Sequence, residues 1–197
     1  MKRIVVSRLP TRYGQFDIYG YRSDPGGIDQ VALVYGPLPL PSPTLVRIHS
    51  ECLTGEVFGS LRCDCQPQLE LALESIVANG AGVVVYLRGH EGRGIGLINK
   101  LRAYSLQDQG RDTVDANRDL GLPVDARSYD AAVAILRDLG ITRLRLMTNN
   151  PLKVSAVEAA GIEVAERVSV VTVATPDNVD YLRTKQDELG HLFGGGA

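Results

Sequence analysis

The chain reads as an α+β fold: a mixed, mainly antiparallel sheet with flanking helices, in a single compact domain over residues 1–193. Three observations lead there. The length, 197 residues, suits one domain or two small ones sharing a core. The first fifty residues carry short extended segments broken by turns, and helical spacing starts only near residue 67. Beyond that point strands and helices mix without strict βαβ alternation and without an internal repeat, which argues against a doubly wound sheet.

Taken in order, the early strands are expected at 4–7, 15–21, 31–35 and 45–49. GPLPLPSPT at 36–44 separates the last two, and its prolines exclude a central strand there. A helix is expected over 67–79, with Leu69, Ala72, Leu73, Ile76 and Val77 on its apolar face and Gly80 as its stop. AGVVVYL at 81–87 reads as a buried strand from its β-branched run. The spacing then predicts a helix over 95–109 closed by Gly110, and an amphipathic helix over 130–139 closed by Gly140. A strand at 144–147 follows, and Pro151 at the N1 position opens a helix over 152–160. Residues 162–173 read as extended, Asp177 or Asn178 caps a last helix ending near Gly190, and the tail at 194–197 is expected to be disordered.

Composition narrows the function classes. Hydrophobic residues at 44% and charged residues at 22% exclude global disorder. No apolar run reaches the ~18 residues of a membrane span, and the apolar stretch in MKRIVVSRLPTRYG is too short for a signal peptide. Clustered, reduced cysteines without an export signal point to the cytoplasm. A net charge of −2 gives no field for nucleic acid, so an anionic ligand must be met by local positive charge.

All three cysteines, Cys52, Cys63 and Cys65, fall within fourteen positions in SECLTGEVFGSLRCDC. Three thiolates and no fourth cysteine fit a zinc site with one coordination position open for water, whereas a structural zinc is closed by four protein ligands. Cys63 and Cys65 are two apart, so extended backbone would present both on one face, with Cys52 arriving from the other arm of the loop. Buried free thiols are the bland alternative. The clustering beside Glu51, Arg62 and Asp64 favours a metal over it.

Five further clusters carry chemistry. RIHSE (Arg47, Ile48, His49, Ser50, Glu51) alternates three polar side chains onto one face, and taken alone it fits a solvated edge strand. RGHEGRGIG at 88–96 follows a strand and precedes a helix. Its glycines allow close backbone approach, and a helix N-terminus offers N–H groups to phosphate. It matches neither the P-loop nor the dinucleotide fingerprint, but Arg88, Arg93, Lys100 and Arg102 supply cations for a triphosphate. NKLRAYSLQDQG places Asn99, Arg102 or Ala103, and Leu106 on successive helical turns with Tyr104 beside them; such a tyrosine is more often a half-buried core residue than an acid. LPVDARSYD holds Asp125 and Arg127 in a proline turn, where catalytic groups often sit and where a surface ion pair is the plainer reading. MTNNPLK sets Thr148, Asn149, Asn150 and Lys153 between a strand and a helix start, as an anion site or a simple capping turn.

Together, RIHSECLTGEVFGSLRCDCQPQLE, YLRGHEGRGIGL, KLRAYSLQDQGRDTVDANRDLGLPVDARSYD and LMTNNPLK resemble GTP cyclohydrolase II of riboflavin biosynthesis, from about Arg47 to Lys153. The resemblance implies that Cys52, Cys63 and Cys65 bind one Zn²⁺ per chain, with water as the fourth ligand. It places Arg47 to Glu51, Gln68, Glu91, Gly92, Arg93, Thr113, Thr148 and Lys153 around GTP. It makes Asp125 a proton acceptor, Arg127 a nucleophile and Tyr104 a participant in ring opening. It further implies Mg²⁺ on the GTP phosphates and a homodimer. Many members carry a preceding dihydroxybutanone phosphate synthase domain; with 46 residues before Arg47, that activity is expected to be absent.

The implied reaction converts GTP to 2,5-diamino-6-ribosylamino-4(3H)-pyrimidinone 5′-phosphate, formate and pyrophosphate. A neutral arginine nucleophile is costly, so Arg127 stabilising charge at phosphorus is an alternative to covalent attack. Glu91 or Gln68 would select the guanine edge. Three other readings stand beside it. The reaction stops at the formylated pyrimidine. The protein is a zinc nucleobase deaminase, although P-C-x-x-C is missing. Or it is a non-catalytic zinc and GTP-binding module, which needs a fourth protein ligand from His49, His90 or His191.

Overall fold

The computed structural model describes residues 1–23, 26–111, 113–187, 190 and 192. The tail at 194–197 and His191 lie outside the described residues, as do the side chains of Thr113 and Val114. The strands are β1 (Lys2–Pro10), β2 (Gln15–Arg22), β3 (Gln30–Tyr35), β4 (Thr44–Ser50), β5 (Gly82–Leu87), β6 (Arg143–Met147) and β7 (Glu163–Val168). The helices are α1 (Leu53–Glu56), α2 (Cys65–Ala78), α3 (Leu97–Gln107), α4 (Thr113–Asp119), α5 (Asp130–Asp138), α6 (Pro151–Ala159) and α7 (Val179–Asp187), with a 3₁₀ turn at Glu91–Gly94.

One mixed sheet runs through the domain in the order β1-β2-β3-β5-β4-β6-β7. The pairings β1–β2, β2–β3 and β3–β5 are antiparallel; β5–β4, β4–β6 and β6–β7 are parallel. Short connections suffice for β1–β2–β3, while the parallel half needs crossovers, which α1–α2 and α6 supply. Helices cover both faces there. On one face Ile48, Val85, Leu144 and Leu146 pack with Ile135, Leu136 and Val157. On the other, Leu45, Val84 and Met147 pack with Leu73 and Ile76 of α2. Burial on both faces is why 83–85 is an unbroken valine run where a one-sided strand would alternate.

The solvated-edge reading of RIHSE is overturned. β4 is the middle of the parallel half and is buried from Thr44 through His49. Its polar side chains are tolerated because each has a partner, although Arg47 Nε and His49 Nδ1 have none. Arg47 Nη1 donates to the Met147 carbonyl at 3.0 Å and Nη2 to Gln68 Oε1 at 2.6 Å. The His49 ring sits 2.9 Å from Glu56 Oε1 and stacks on Tyr86. Other departures are local. Cys65 opens α2, so the two-residue cysteine spacing is not an extended strand. The extended segment at 162–173 is a strand only as far as Val168, because no further residue pairs with β6 beyond Met147. The helix expected from residue 95 begins at Leu97, after Gly92 and Arg93 take left-handed φ values of 58° and 61°. Among the described residues no helix is long and apolar enough to cross a membrane.

Candidate active site

A cavity of about 690 Å³ opens at the C-terminal ends of β4 and β5, where parallel strands end and ligands commonly bind. Its walls come from separate stretches: Ser50 to Cys52 after β4, the 60–65 loop, the 90–95 turn, Lys100 and Tyr104 of α3, Arg127, and Asp177, Tyr181 and Thr184 around α7.

The cysteines converge on one side. Cys52 follows β4 directly, Cys63 lies in the turn before α2, and Cys65 opens that helix. Their sulfurs all lie within 4.8 Å of one another, and Cys52 Sγ is 3.7 Å from Cys63 Sγ. Hydrogen bonds from Cys63 and Cys65, and Lys100 nearby, hold Cys52 well below the usual thiol range; bonding to Cys52 pushes Cys63 and Cys65 up. One soft, three-sulfur donor set fits zinc. The packing fits it too: a Cβ on Gly55 would stand 2.8 Å from Cys63 Sγ and 3.3 Å from Cys52 Sγ. Among the described residues no histidine or carboxylate joins the group. His49 is held by Glu56, and His90 Nδ1 is 3.1 Å from Ser50 Oγ.

Two arginines with different environments complete the wall. Asp125 Oδ1 accepts from Arg127 N at 3.0 Å and Nε at 2.9 Å, and Oδ2 accepts from Nη2 at 2.5 Å. Burial works against ionisation of Asp125, yet these bonds outweigh it and lower its pKa. Arg127 is raised by the same pairing against its own desolvation, so it stays a cation. Nothing of a solvated surface ion pair remains, since the Arg127 side chain is 11% exposed. Arg93 differs: its Nη1 and Nη2 are buried without a hydrogen-bond partner, and its guanidinium lies 6.0 Å from the Tyr181 ring. A buried, unmatched guanidinium in a cavity wall calls for an anion. Tyr104 Oη is 3.5 Å from Thr54 Oγ1, its ring lies under Arg62, and burial raises its pKa.

Of the residues anticipated from sequence, the cavity brings together Ser50, Glu51, Cys52, Cys63, Cys65, Glu91, Gly92, Arg93, Tyr104 and Arg127. Asp125 stands behind Arg127. Arg47, Ile48, His49, Gln68, Thr148 and Lys153 do not line it: Gln68 bridges Arg47 to Asp64, Thr148 Oγ1 accepts from Asn150 N, and Lys153 Nζ donates to the Ile48 carbonyl at 2.7 Å. The backbone of Thr113 opens α4. Both Glu91 oxygens are engaged inside the protein, by Leu53 N and Lys100 Nζ. Arg88 and Arg102 are exposed and bond to the Asp29 carbonyl and to Asn99. Sequence reasoning did not find Asn117, Asp177, Tyr181 or Thr184, which sit outside any glycine loop or cysteine cluster. The last helix was expected from its cap at Asp177 or Asn178, but α4, which carries the buried Asn117, was not expected as a helix.

His49 gives a pH prediction. Desolvation, helped by the Arg47 charge and opposed by the Glu56 bond, lowers its pKa to about 4. The native state keeps it neutral while an unfolded histidine titrates near ~6.5. Stability from this site is therefore full above ~6.5 and falls as pH drops toward 4, by about 3 kcal/mol at ~1.4 kcal/mol per unit. Urea unfolding at pH 7 and 4.5 should show a much smaller acid loss for His49→Gln than for wild type; equal losses would remove His49 as the cause.

The fold and site define a mixed-sheet α+β domain with a three-cysteine centre in a cavity whose wall carries the Arg93 guanidinium without a hydrogen-bond partner. The chain belongs to the GTP cyclohydrolase II family, whose model matches residues 2–169. It is 56% identical over 191 residues to the riboflavin biosynthesis protein RibBA of Salinispora tropica, covering 97% of this chain and 48% of that protein. It is 54% identical to the monofunctional riboflavin biosynthesis protein RIBA 3, chloroplastic, of Arabidopsis thaliana (98% and 38%), and 53% identical to RibBA of Aquifex aeolicus (98% and 48%). The chain thus spans under half the length of these relatives. The crystal structure of RibBX, a two-domain 3,4-dihydroxy-2-butanone 4-phosphate synthase from A. baumannii, aligns over 87% of this chain and 40% of its own, at 22% identity and a TM-score of 0.49.

Proposed function

We propose that this chain hydrolyses GTP to 2,5-diamino-6-ribosylamino-4(3H)-pyrimidinone 5′-phosphate, formate and pyrophosphate, as a step of riboflavin biosynthesis. The observation that carries the reading is the cluster of Cys52, Cys63 and Cys65, with no fourth protein ligand among the described residues, in a cavity shared with the unmatched Arg93 guanidinium. The three cysteines would hold one zinc ion, which when bound supplies water acidified from ~15.7 toward ~7 for attack at C8.

The protein's own groups do the rest. Tyr104, kept protonated by burial, donates to the ring nitrogen that leaves as the imidazole opens. Arg93 pairs with phosphate oxygens; Mg²⁺, when bound to the triphosphate, would add charge neutralisation there. Arg127, fixed in place by Asp125, neutralises charge developing at the α-phosphate as pyrophosphate departs. The internal bonding of Glu91 and Gln68 favours roles in shaping the pocket over reading the guanine edge. The reading extends to a homodimer, supported by the family resemblance, and to a cytoplasmic location, supported by the clustered free cysteines.

The test is mass spectrometry of products from zinc-loaded protein, GTP and Mg²⁺, with formate and pyrophosphate quantified. Equal amounts of formate, pyrophosphate and diaminopyrimidine phosphate are expected. A formylated product without free formate would mean a truncated reaction, ammonia a deaminase, and unchanged GTP a binding module.

A further inference from the structure

We infer that Lys100 is a positioning residue of the thiolate centre, donating to Cys52 Sγ, and is not a ligand of the substrate phosphates. Its sequence context, downstream of a glycine-rich turn and between arginines, reads as phosphate binding. The geometry says otherwise. Lys100 is buried, and its ammonium has three acceptors: Glu91 Oε1 at 2.5 Å, Thr54 Oγ1 at 2.8 Å and Cys52 Sγ at 3.1 Å. An ammonium carries three protons, so no donor is left over for a phosphate oxygen.

Each acceptor leads back to the same corner. Glu91 Oε2 accepts from Leu53 N at 2.7 Å, the amide that follows Cys52, so one carboxylate ties the ammonium to the turn carrying the thiolate. Thr54 Oγ1 lies 3.5 Å from Tyr104 Oη, so the ammonium also braces the tyrosine. The glycine turn serves this contact: a Cβ on Gly92 would fall 3.0 Å from Lys100 Cβ. Glycine at that position allows the turn to lie against the lysine stem.

The chemical consequence concerns charge. Three thiolates donate heavily to any ion they hold, which works against acidifying its water. An N–H···S bond from an ammonium draws electron density off one sulfur and fixes its direction, as outer-shell partners of metal ligands do. The assignment rests on the proposed metal site.

The test therefore reads the site without substrate. Wild type, Lys100→Met and the charge-balanced double variant Lys100→Met/Glu91→Gln are loaded with Co²⁺. The thiolate-to-cobalt charge-transfer band is recorded, and affinity is measured by chelator competition. Loss of the ammonium should move the band to lower energy and weaken metal binding by about 10–100-fold. In steady state, formate release should fall with KM for GTP changed less than about threefold. The double variant covers the case in which the single one, with Glu91 left unpaired, fails to fold. An unshifted band in a folded, cobalt-loaded variant overturns the assignment, as does a tenfold rise in KM with kcat unchanged. A shifted band in a protein whose wild type releases no formate would sink the proposed activity and leave this assignment standing.

Discussion

Cys63→Ser is expected to lose bound zinc and formate release together. Zinc content should drop from one ion per chain to a trace, and formate release should fall by more than about 10³-fold, the scale set by losing one essential group of a catalytic unit. The reason is the donor atom. Serine offers a hard oxygen that stays protonated near neutral pH, where the site presents soft sulfurs packed within 4.8 Å of one another. The fold should survive, because Cys63 lies in a turn between α1 and α2 outside both apolar cores. GTP binding should fall only a few-fold, since Arg93 and Arg127 lie on other segments of the wall. Metal analysis, a formate assay and calorimetric GTP titration on the same preparation separate these effects. Formate release retained in the zinc-depleted variant would falsify the role given to the cysteine cluster.

The segments with strong periodicity were legible from residue order alone. The β-branched run of β5, the apolar stripe of α2 and the proline at N1 of α6 all specify their elements locally. What was not legible depends on partners distant in sequence. β4 looks like an edge strand because burying Arg47 and His49 is costly unless Met147, Gln68 and Glu56 meet them, and no local pattern announces those pairs. α1 is one turn long, below the length at which periodicity registers. The site divides the same way. The thiolate cluster showed in its spacing, whereas Asn117, Asp177, Tyr181 and Thr184 reach the cavity only through the packing of α4 and α7. Lys100 was visible as a cation but misread as a phosphate ligand, since its three acceptors come from α1, the preceding loop and the 91–94 turn.

Arg127→Ala should separate the two halves of the reaction: pyrophosphate release is expected to fall about 10²–10³-fold, the usual loss for one charge-stabilising donor, with formate release affected much less. The cavity geometry argues for this split. Arg127 is held on the wall by Asp125 through its backbone N, Nε and Nη2, while Tyr104 and the cysteines belong to the side built from α1, α2 and α3. The same pairing decides between the two roles considered for this arginine. Its pKa is raised by the bonds to Asp125 against its own desolvation, so the neutral form needed for attack at phosphorus is disfavoured still further. A fixed cation beside developing charge needs no such deprotonation. Product analysis of Arg127→Ala should therefore show a ring-opened nucleotide that keeps its triphosphate, and Arg127→Lys should recover part of the pyrophosphate release by restoring charge without the paired geometry. A phosphorus-bearing adduct on Arg127, seen by peptide mass spectrometry after a rapid denaturing quench of the wild type, would establish covalent attack instead and overturn the electrostatic role.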